Sequence, residues 1–218
     1  MIVISDMMGT LTTGSPVLGL VDWVRKNQSS FRANLFMAGM APGYLLAKCG
    51  LIDWQKWGQN LMVDSLGLVH GATPEVFAQA ANWSVEYDLW PKRREDVIDR
   101  LRAHNAAGAQ VYIASSVVEP VAEAFARRIG IKYIGTPVRF EAGKVLLDGE
   151  LVASERKIEE VLSRLGVQRV DVAYGDTIMD VPLLEHANRP VAVFPDANLR
   201  KVARERGWEI IGDSLSYP

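Results

Sequence analysis

The sequence predicts an α/β fold: a parallel sheet covered by helices on both faces, with an all-helical stretch inserted after the first strand. Three observations predict it. The chain opens on a short β-branched apolar run, Ile2-Val3-Ile4, of the kind that fits a strand buried on both faces. From Gln110 onward, strand-like and helix-like segments alternate, which implies parallel strands joined by crossover helices. Between about Ser29 and Trp90 little reads as strand, and apolar clusters recur at helical spacing.

Taken in order, the Ile2–Ile4 strand stops at Ser5 and Asp6, and Gly9 offers a sharp turn just beyond. Ser15-Pro16 starts a helix that runs to about Asn27. Leu45-Leu46, Trp54, Trp57, Leu61-Met62 and Val76-Phe77 mark the helical insertion, punctuated by Gly43, Gly50, Gly67 and Gly71. Thr73-Pro74-Glu75 starts a helix through about Trp83, and Pro91 is expected to open the next, which stops at Gly108. Gln110–Ser115 reads as a strand, Glu119–Ile129 as a helix ended by Gly130, and Lys132–Ile134 as a short strand. Arg139–Leu151 reads as a hairpin with turn candidates at Ala142-Gly143 and Asp148-Gly149. Ser154 is expected to cap a helix through Leu165. Val170–Tyr174 (strand), Val181–Ala187 (helix) and Pro190–Phe194 (strand) follow. Asp196 caps a helix through Arg206, and Trp208–Ile211 is a final strand.

The bulk numbers exclude some classes. The 218 residues are enough for one sizeable domain with an insertion, and 49% hydrophobic residues supply a core. A net charge of −2 offers no electrostatic argument for nucleic acid or an anionic membrane. Cys49 is the single cysteine, so no internal disulfide forms, and no apolar run is long enough to span a bilayer. With no signal-peptide pattern at Met1, the expectation is a cytoplasmic protein with no membrane partner, a monomer or homodimer.

Four polar sites stand at strand ends or helix starts: Asp6 with Thr10, Ser115-Ser116, Lys157, and Gly175 through Asp180. Parallel connections place strand C-termini along one sheet edge, so Asp6, Ser115 and Asp176 are expected to converge there. Asp176 and Asp180, four apart, would share a face of a helical turn. Carboxylates gathered at one point repel unless a cation sits among them, and Mg²⁺ suits carboxylates, waters and a phosphate oxygen. A lysine and a hydroxyl nearby are what a phosphoryl group needs, and an aspartate facing it can act as nucleophile. Singly, each has an ordinary reading: a strand-end hydroxyl, a solvated lysine, a capping pair. No Gly-x-Gly-x-x-Gly follows the first strand, which argues against a dinucleotide dehydrogenase. Trp54, Trp57 and Trp83 are expected in the core, Arg25, Lys26, Arg32 and Lys48 on a solvated face, and His70, His104 and His186 lie in no motif.

Ile2-Val3-Ile4-Ser5-Asp6-x-x-Gly9-Thr10-Leu11-Thr12, Ala114-Ser115-Ser116, Lys157 and Gly175-Asp176-x-x-x-Asp180 resemble, in order, the four motifs of the haloacid dehalogenase (HAD) superfamily. The run from Ala173 through Leu183-Leu184, with Val191–Asp196 and Gly207-Trp208, resembles its phosphoserine-phosphatase-like branch, subfamily IB. The resemblance implies a Rossmann-like core, residues 1–14 and 91–218, and a C1-type helical cap, residues 15–90. It implies Asp6 as nucleophile and metal ligand, Thr10 as loop-orienting residue, and Ser115 and Lys157 as catalytic phosphate-binding groups. Gly9 and Ser116 join the phosphate site, and Asp176, Asp180 and the Met8 backbone carbonyl complete the Mg²⁺ site. The implied activity is hydrolysis of a small phosphorylated metabolite, a phosphomonoester, through an aspartyl-phosphate. Met8 departs from the pattern: the family's phosphatases carry an acid there, and a thioether cannot donate a proton. Two alternatives stay open: an impaired phosphate-ligand binding protein, and HAD chemistry on a good-leaving-group phosphate or a carbon–phosphorus bond.

Overall fold

The computed structural model describes residues 1–212; residues 213–218, expected at the end of the core, lie outside the described residues. Strand β1 (Ile2–Ser5) is followed by helices α1 (Pro16–Asn27), α2 (Ser30–Lys48), α3 (Trp54–Leu66) and α4 (Pro74–Ser84), then a π-helical turn, Val85–Leu89. Helix α5 (Glu95–Ala106) leads into β2 (Gln110–Val118), α6 (Glu119–Ile129), β3 (Lys132–Thr136) and a hairpin of β4 (Val138–Glu141) and β5 (Lys144–Leu147). Then come α7 (Ser154–Leu165), β6 (Val170–Gly175), a 3-10 turn (Ile178–Asp180) and α8 (Val181–Glu185). Strand β7 (Ala187–Val193), α9 (Ala197–Glu205) and β8 (Glu209–Ile211) end the described chain.

Six strands form one sheet in the order β3-β2-β1-β6-β7-β8, and every pairing in it is parallel. β1 lies between β2 and β6, with Ser5 level with Ile113 and Tyr174. The next residue, Asp6, therefore leaves the sheet at the carboxyl edge, where open α/β sheets bind ligands. Alternation along the strands splits the core into two layers. Val3, Val111, Ile113 and Tyr174 pack with Leu20, Phe77 and Phe125 on one face. On the other, Ile4, Tyr112, Ala114 and Ala173 pack with Val161, Leu183 and Leu199. The inserted helices are not detached from the sheet: Leu20, Val21, Phe77 and Ala80 belong to the same buried cluster as Val3 and Met7.

Most local signals act as read. The Ser15, Thr73 and Asp196 side chains cap α1, α4 and α9 by accepting backbone N–H groups. Gly130 and Gly166 end α6 and α7 in the left-handed region. Several expectations are corrected. Pro91 does not open a helix, because Trp90–Arg94 forms a turn: the Arg93 N–H bonds the Trp90 carbonyl and the Arg94 N–H bonds the Leu11 carbonyl, so α5 starts at Glu95. Ser154 is not a cap. Its backbone is left-handed (φ 48°) and its hydroxyl turns to Glu155, so Ala153 occupies the capping position without a side-chain bond. The hairpin closes at Ala142-Gly143, both at positive φ, and spans Val138–Leu147, shorter than expected. β2 runs on to Val118, and α8 ends at Glu185 because Ala187 already pairs with Val170.

Candidate active site

The loop after β1 is closed on itself before it meets anything else. The Asp6 N–H bonds the Tyr174 carbonyl at 2.9 Å, so the loop leaves β1 still tied to β6. The Leu11 and Thr12 N–H groups bond the Met7 carbonyl, and the Gly9 N–H bonds the Thr12 carbonyl. The turn needs Gly9: its φ is +83°, and a Cβ there would lie 1.9 Å from a carboxylate oxygen of Asp176. Gly175 is a second close approach, with a Cβ position 2.5 Å from that of Asp180. These two hydrogen-only positions let the first loop and the loop after β6 close on one point.

At that point Asp6, Asp176 and Asp180 are all buried, each offering a carboxylate oxygen within 4.8 Å of the others. Lys157, from the first turn of α7, reaches in and donates to Asp6 Oδ1 at 2.6 Å and Asp180 Oδ1 at 2.7 Å. The Thr10 hydroxyl donates to Asp176 Oδ1 at 2.9 Å. Asp180 Oδ2 accepts the Asp176 and Thr177 N–H groups, at 3.1 and 3.3 Å, which folds the second loop around its own carboxylate.

Among the described residues, this cluster sets three carboxylates against one ammonium. Burial pushes the Asp6 carboxyl up to about 6, against the pull of Lys157. Burial, together with the charges of Asp6 and Asp180, raises Asp176 well above the usual carboxylate range. Burial pulls Lys157 down, but the charges of Asp180 and Asp6 outweigh it and the ammonium is held more firmly than in water. Protein groups alone leave the cluster short of positive charge. A divalent cation fits the deficit: the donors are hard oxygens, the excess is two negative charges if all three acids ionise, and buried like charges attract a counter-ion strongly.

The cluster floors a cavity of about 930 Å³. Asp6, Met8, Gly9, Lys157, Asp176 and Asp180 all line it. Of the two serines after Ala114, Ser116 lines the cavity. Ser115 is buried in β2, its hydroxyl accepting the Val117 N–H at 3.3 Å. The pairing of β2 with β3 slips between Ala114 and Val118, a bulge at the rim of the site. Thr10, also buried, acts through Asp176.

Sequence reasoning missed several residues. Arg94 Nε donates to the Gly9 carbonyl at 2.8 Å, and its guanidinium lies 3.8 Å from the centre of the Phe194 ring. Phe194, at φ 43°, lines the cavity beside Asp196. The signal for Phe194 was positional, since it ends the expected strand Pro190–Phe194 and directly follows β7 at the functional edge; Arg94 carried none. Trp54 and Trp57 overturn the expectation of a core role: both line the cavity, and Trp54 is 50% exposed. Trp83 is partly buried against the core, its Nε1 donating to Asp22.

A family model for haloacid dehalogenase-like hydrolases matches residues 3–185. Phosphoserine phosphatase SerB1 of Mycobacterium tuberculosis is 35% identical over 130 residues, covering 56% of this chain and 41% of that protein. The chain thus matches less than half the length of that curated relative. Among solved structures, a protein of unknown function from Bordetella pertussis Tohama I superposes with TM-score 0.75 at 23% identity, covering 97% of both chains. A substrate-bound phosphoserine phosphatase superposes with TM-score 0.60 at 14% identity, covering 96% of this chain and 91% of that one. At these identities the two structures show a shared fold.

Proposed function

The chain belongs to the haloacid dehalogenase-like hydrolases, and we propose that it is a Mg²⁺-dependent phosphatase of the phosphoserine-phosphatase-like branch, acting on a small phosphomonoester through an aspartyl-phosphate on Asp6. The observation that carries this reading is the buried meeting of Asp6, Asp176 and Asp180 with Lys157 at the carboxyl edge of the sheet.

Asp6 is the attacking group. Its carboxylate forms a bond to phosphorus as the bond from phosphorus to the leaving oxygen breaks, and water then attacks phosphorus, releases phosphate and restores the carboxylate. Lys157 holds Asp6 in place through Oδ1 and sets positive charge beside the transferring group. Ser116 is the hydroxyl at the cavity wall, and Ser115 shapes the bend that presents it. Gly9 leaves room for Asp176, and Thr10 orients it. Asp6, Asp176 and the Met8 carbonyl, with Asp180 in support, would hold Mg²⁺, which would supply charge neutralisation for the phosphoryl oxygens. Helices α1–α4 act as the cap, with α3 forming the wall opposite the cluster. No helix among the described residues is long and apolar enough to cross a membrane, and the net charge of −2 offers no electrostatic argument for a nucleic-acid partner. We assign it to the cytoplasm, as a monomer or homodimer.

The test is phosphate release from acetyl phosphate with and without Mg²⁺. The reading expects metal-dependent turnover and, in Asp6→Asn, a loss of at least about 10³-fold. Metal-independent turnover, or full activity in the variant, overturns it. A second reading, a binding protein on the same scaffold, is favoured by Met8, a thioether at the cavity wall that gives and takes no proton. If Met8→Asp and the unmodified chain both fail to release phosphate yet are both stabilised by phosphorylated ligands, this second reading stands.

A further inference from the structure

Above the catalytic floor, the cavity changes character. Its charged side chains, Asp6, Lys157, Asp176, Asp180, Asp196 and Arg200, all belong to the sheet-bearing part of the chain. The facing wall is one side of α3: Trp54, Trp57, Gly58, Leu61 and Met62 follow the spacing that places residues on a single helical face. Gln55 and Gln59 are its polar members, and Lys56 and Asp64, the charged residues of this helix, are not part of it. The two indoles are tilted by 43° with ring centres 5.4 Å apart. Trp57 is fixed from behind: a Cβ on Gly43 would come within 2.4 Å of its Nε1, and Tyr44 stands edge-on at 6.2 Å. Trp54 is half open to solvent, and a Cβ on Gly58 would meet nothing within 4 Å, so there is open space beside the two indoles.

The wall also provides no acid. Of the four carboxylates around the cavity, Asp6 and Asp180 hold Lys157 and Asp176 accepts from Thr10. Asp196 accepts the Leu199 N–H on one oxygen and the Ile178 N–H on the other. Met8, within the loop that carries Asp6, is a thioether. A leaving group that needs no proton as it departs suits such a site.

We infer that the leaving group of the substrate is an uncharged aromatic ring system seated against Trp54 and Trp57. This deepens the phosphatase reading and rests on it. The bond from Asp6 to phosphorus forms, the bond from phosphorus to the aryl oxygen breaks, and the electron pair leaves on that oxygen, delocalised into the ring and later protonated by solvent. An amino-acid phosphate fits less well, because its ammonium and carboxylate would find on that wall only the amides of Gln55 and Gln59 and no charged partner. Aromatic contact with the indoles contributes to binding instead.

The experiment compares kcat/KM for 1-naphthyl phosphate, phosphoserine and acetyl phosphate on the full chain with Mg²⁺. The expected result is a preference of at least about tenfold for 1-naphthyl phosphate over phosphoserine. Trp54→Gln, at a half-exposed position, is expected to lower the ratio of naphthyl to acetyl phosphate efficiency by about fivefold or more, through KM. Turnover of acetyl phosphate with phosphoserine equal to or better than 1-naphthyl phosphate overturns the inference and leaves the phosphatase reading intact. An unchanged ratio in Trp54→Gln overturns the assignment of the indole wall. Failure of all three substrates overturns the phosphatase reading, and this inference with it.

Discussion

Replacing Lys157 with methionine removes the ammonium that neutralises the buried cluster while keeping most of the side chain's length. The lysine is 4% exposed and makes two charge-assisted hydrogen bonds, 2.6 Å to Asp6 and 2.7 Å to Asp180. Its loss leaves those carboxylates buried without their cation. Breaking a buried ion pair from one side costs about 3–5 kcal/mol. For a domain of this size each kcal/mol shifts Tm by about 2–4 °C, so a drop of roughly 6–20 °C is expected near neutral pH without metal. The penalty has a direction in pH. Asp6 in the folded chain titrates at about 6, above its ordinary 3.8, so its contribution to stability is present below about 3.8 and is lost as pH rises through about 6. Without Lys157 the folded value rises further, so the Asp6 contribution to the gap opens above about pH 6, where Asp6 ionises in the parent but stays protonated in the variant, and it widens toward pH 7 and beyond. Thermal unfolding of both proteins across that range, in chelator, measures the gap. A difference below about 1 kcal/mol at neutral pH, or one that shrinks as pH rises, refutes the reasoning.

Gly9→Ala places a methyl group where Asp176 lies and forces φ +83° on a residue with a side chain; we expect a stability loss of about 1–3 kcal/mol and at least about tenfold weaker Mg²⁺ binding by titration calorimetry. Mg²⁺ is expected to raise Tm more at about pH 7.5 than at about pH 5, because protons compete for Asp6 and Asp176 on the acid side; differential scanning fluorimetry with and without Mg²⁺ reads this directly. Thr10→Val removes one hydrogen bond to Asp176 and is expected to cost about 1–3 kcal/mol in chemical denaturation, with a smaller loss when Mg²⁺ is present.

The cluster was legible because a general rule fixes where parallel strands end. Asp6 and Asp176 each follow a β-branched or apolar strand, and adjacent parallel strands must deliver them to one edge. Lys157 was legible from its motif, although the geometry behind it differs from the reading: Ser154, a good capping residue by chemistry, takes a left-handed backbone and bonds Glu155 instead. Pro91 was misread for a similar reason. Proline favours a first helical turn, but here the chain is already committed to a turn pinned to the Leu11 carbonyl, a contact across 83 residues that no local signal encodes. Arg94 was invisible because its partner, the Gly9 carbonyl, is backbone. Trp54 and Trp57 carried a correct helical period, but a period says which residues share a face and not whether that face meets a core or a cavity.

The central claim is that Asp6 is the group that meets phosphorus, beside a cation shared with Asp176. A crystal structure of the chain with Mg²⁺ and beryllium fluoride tests it most directly, since that fluoride adds to a carboxylate as a phosphoryl mimic. The account predicts a beryllium–oxygen bond on the Asp6 carboxylate and Mg²⁺ coordinated by Asp6 and Asp176. An adduct on a different residue, or a free Asp6 with Mg²⁺ bound elsewhere, would contradict it.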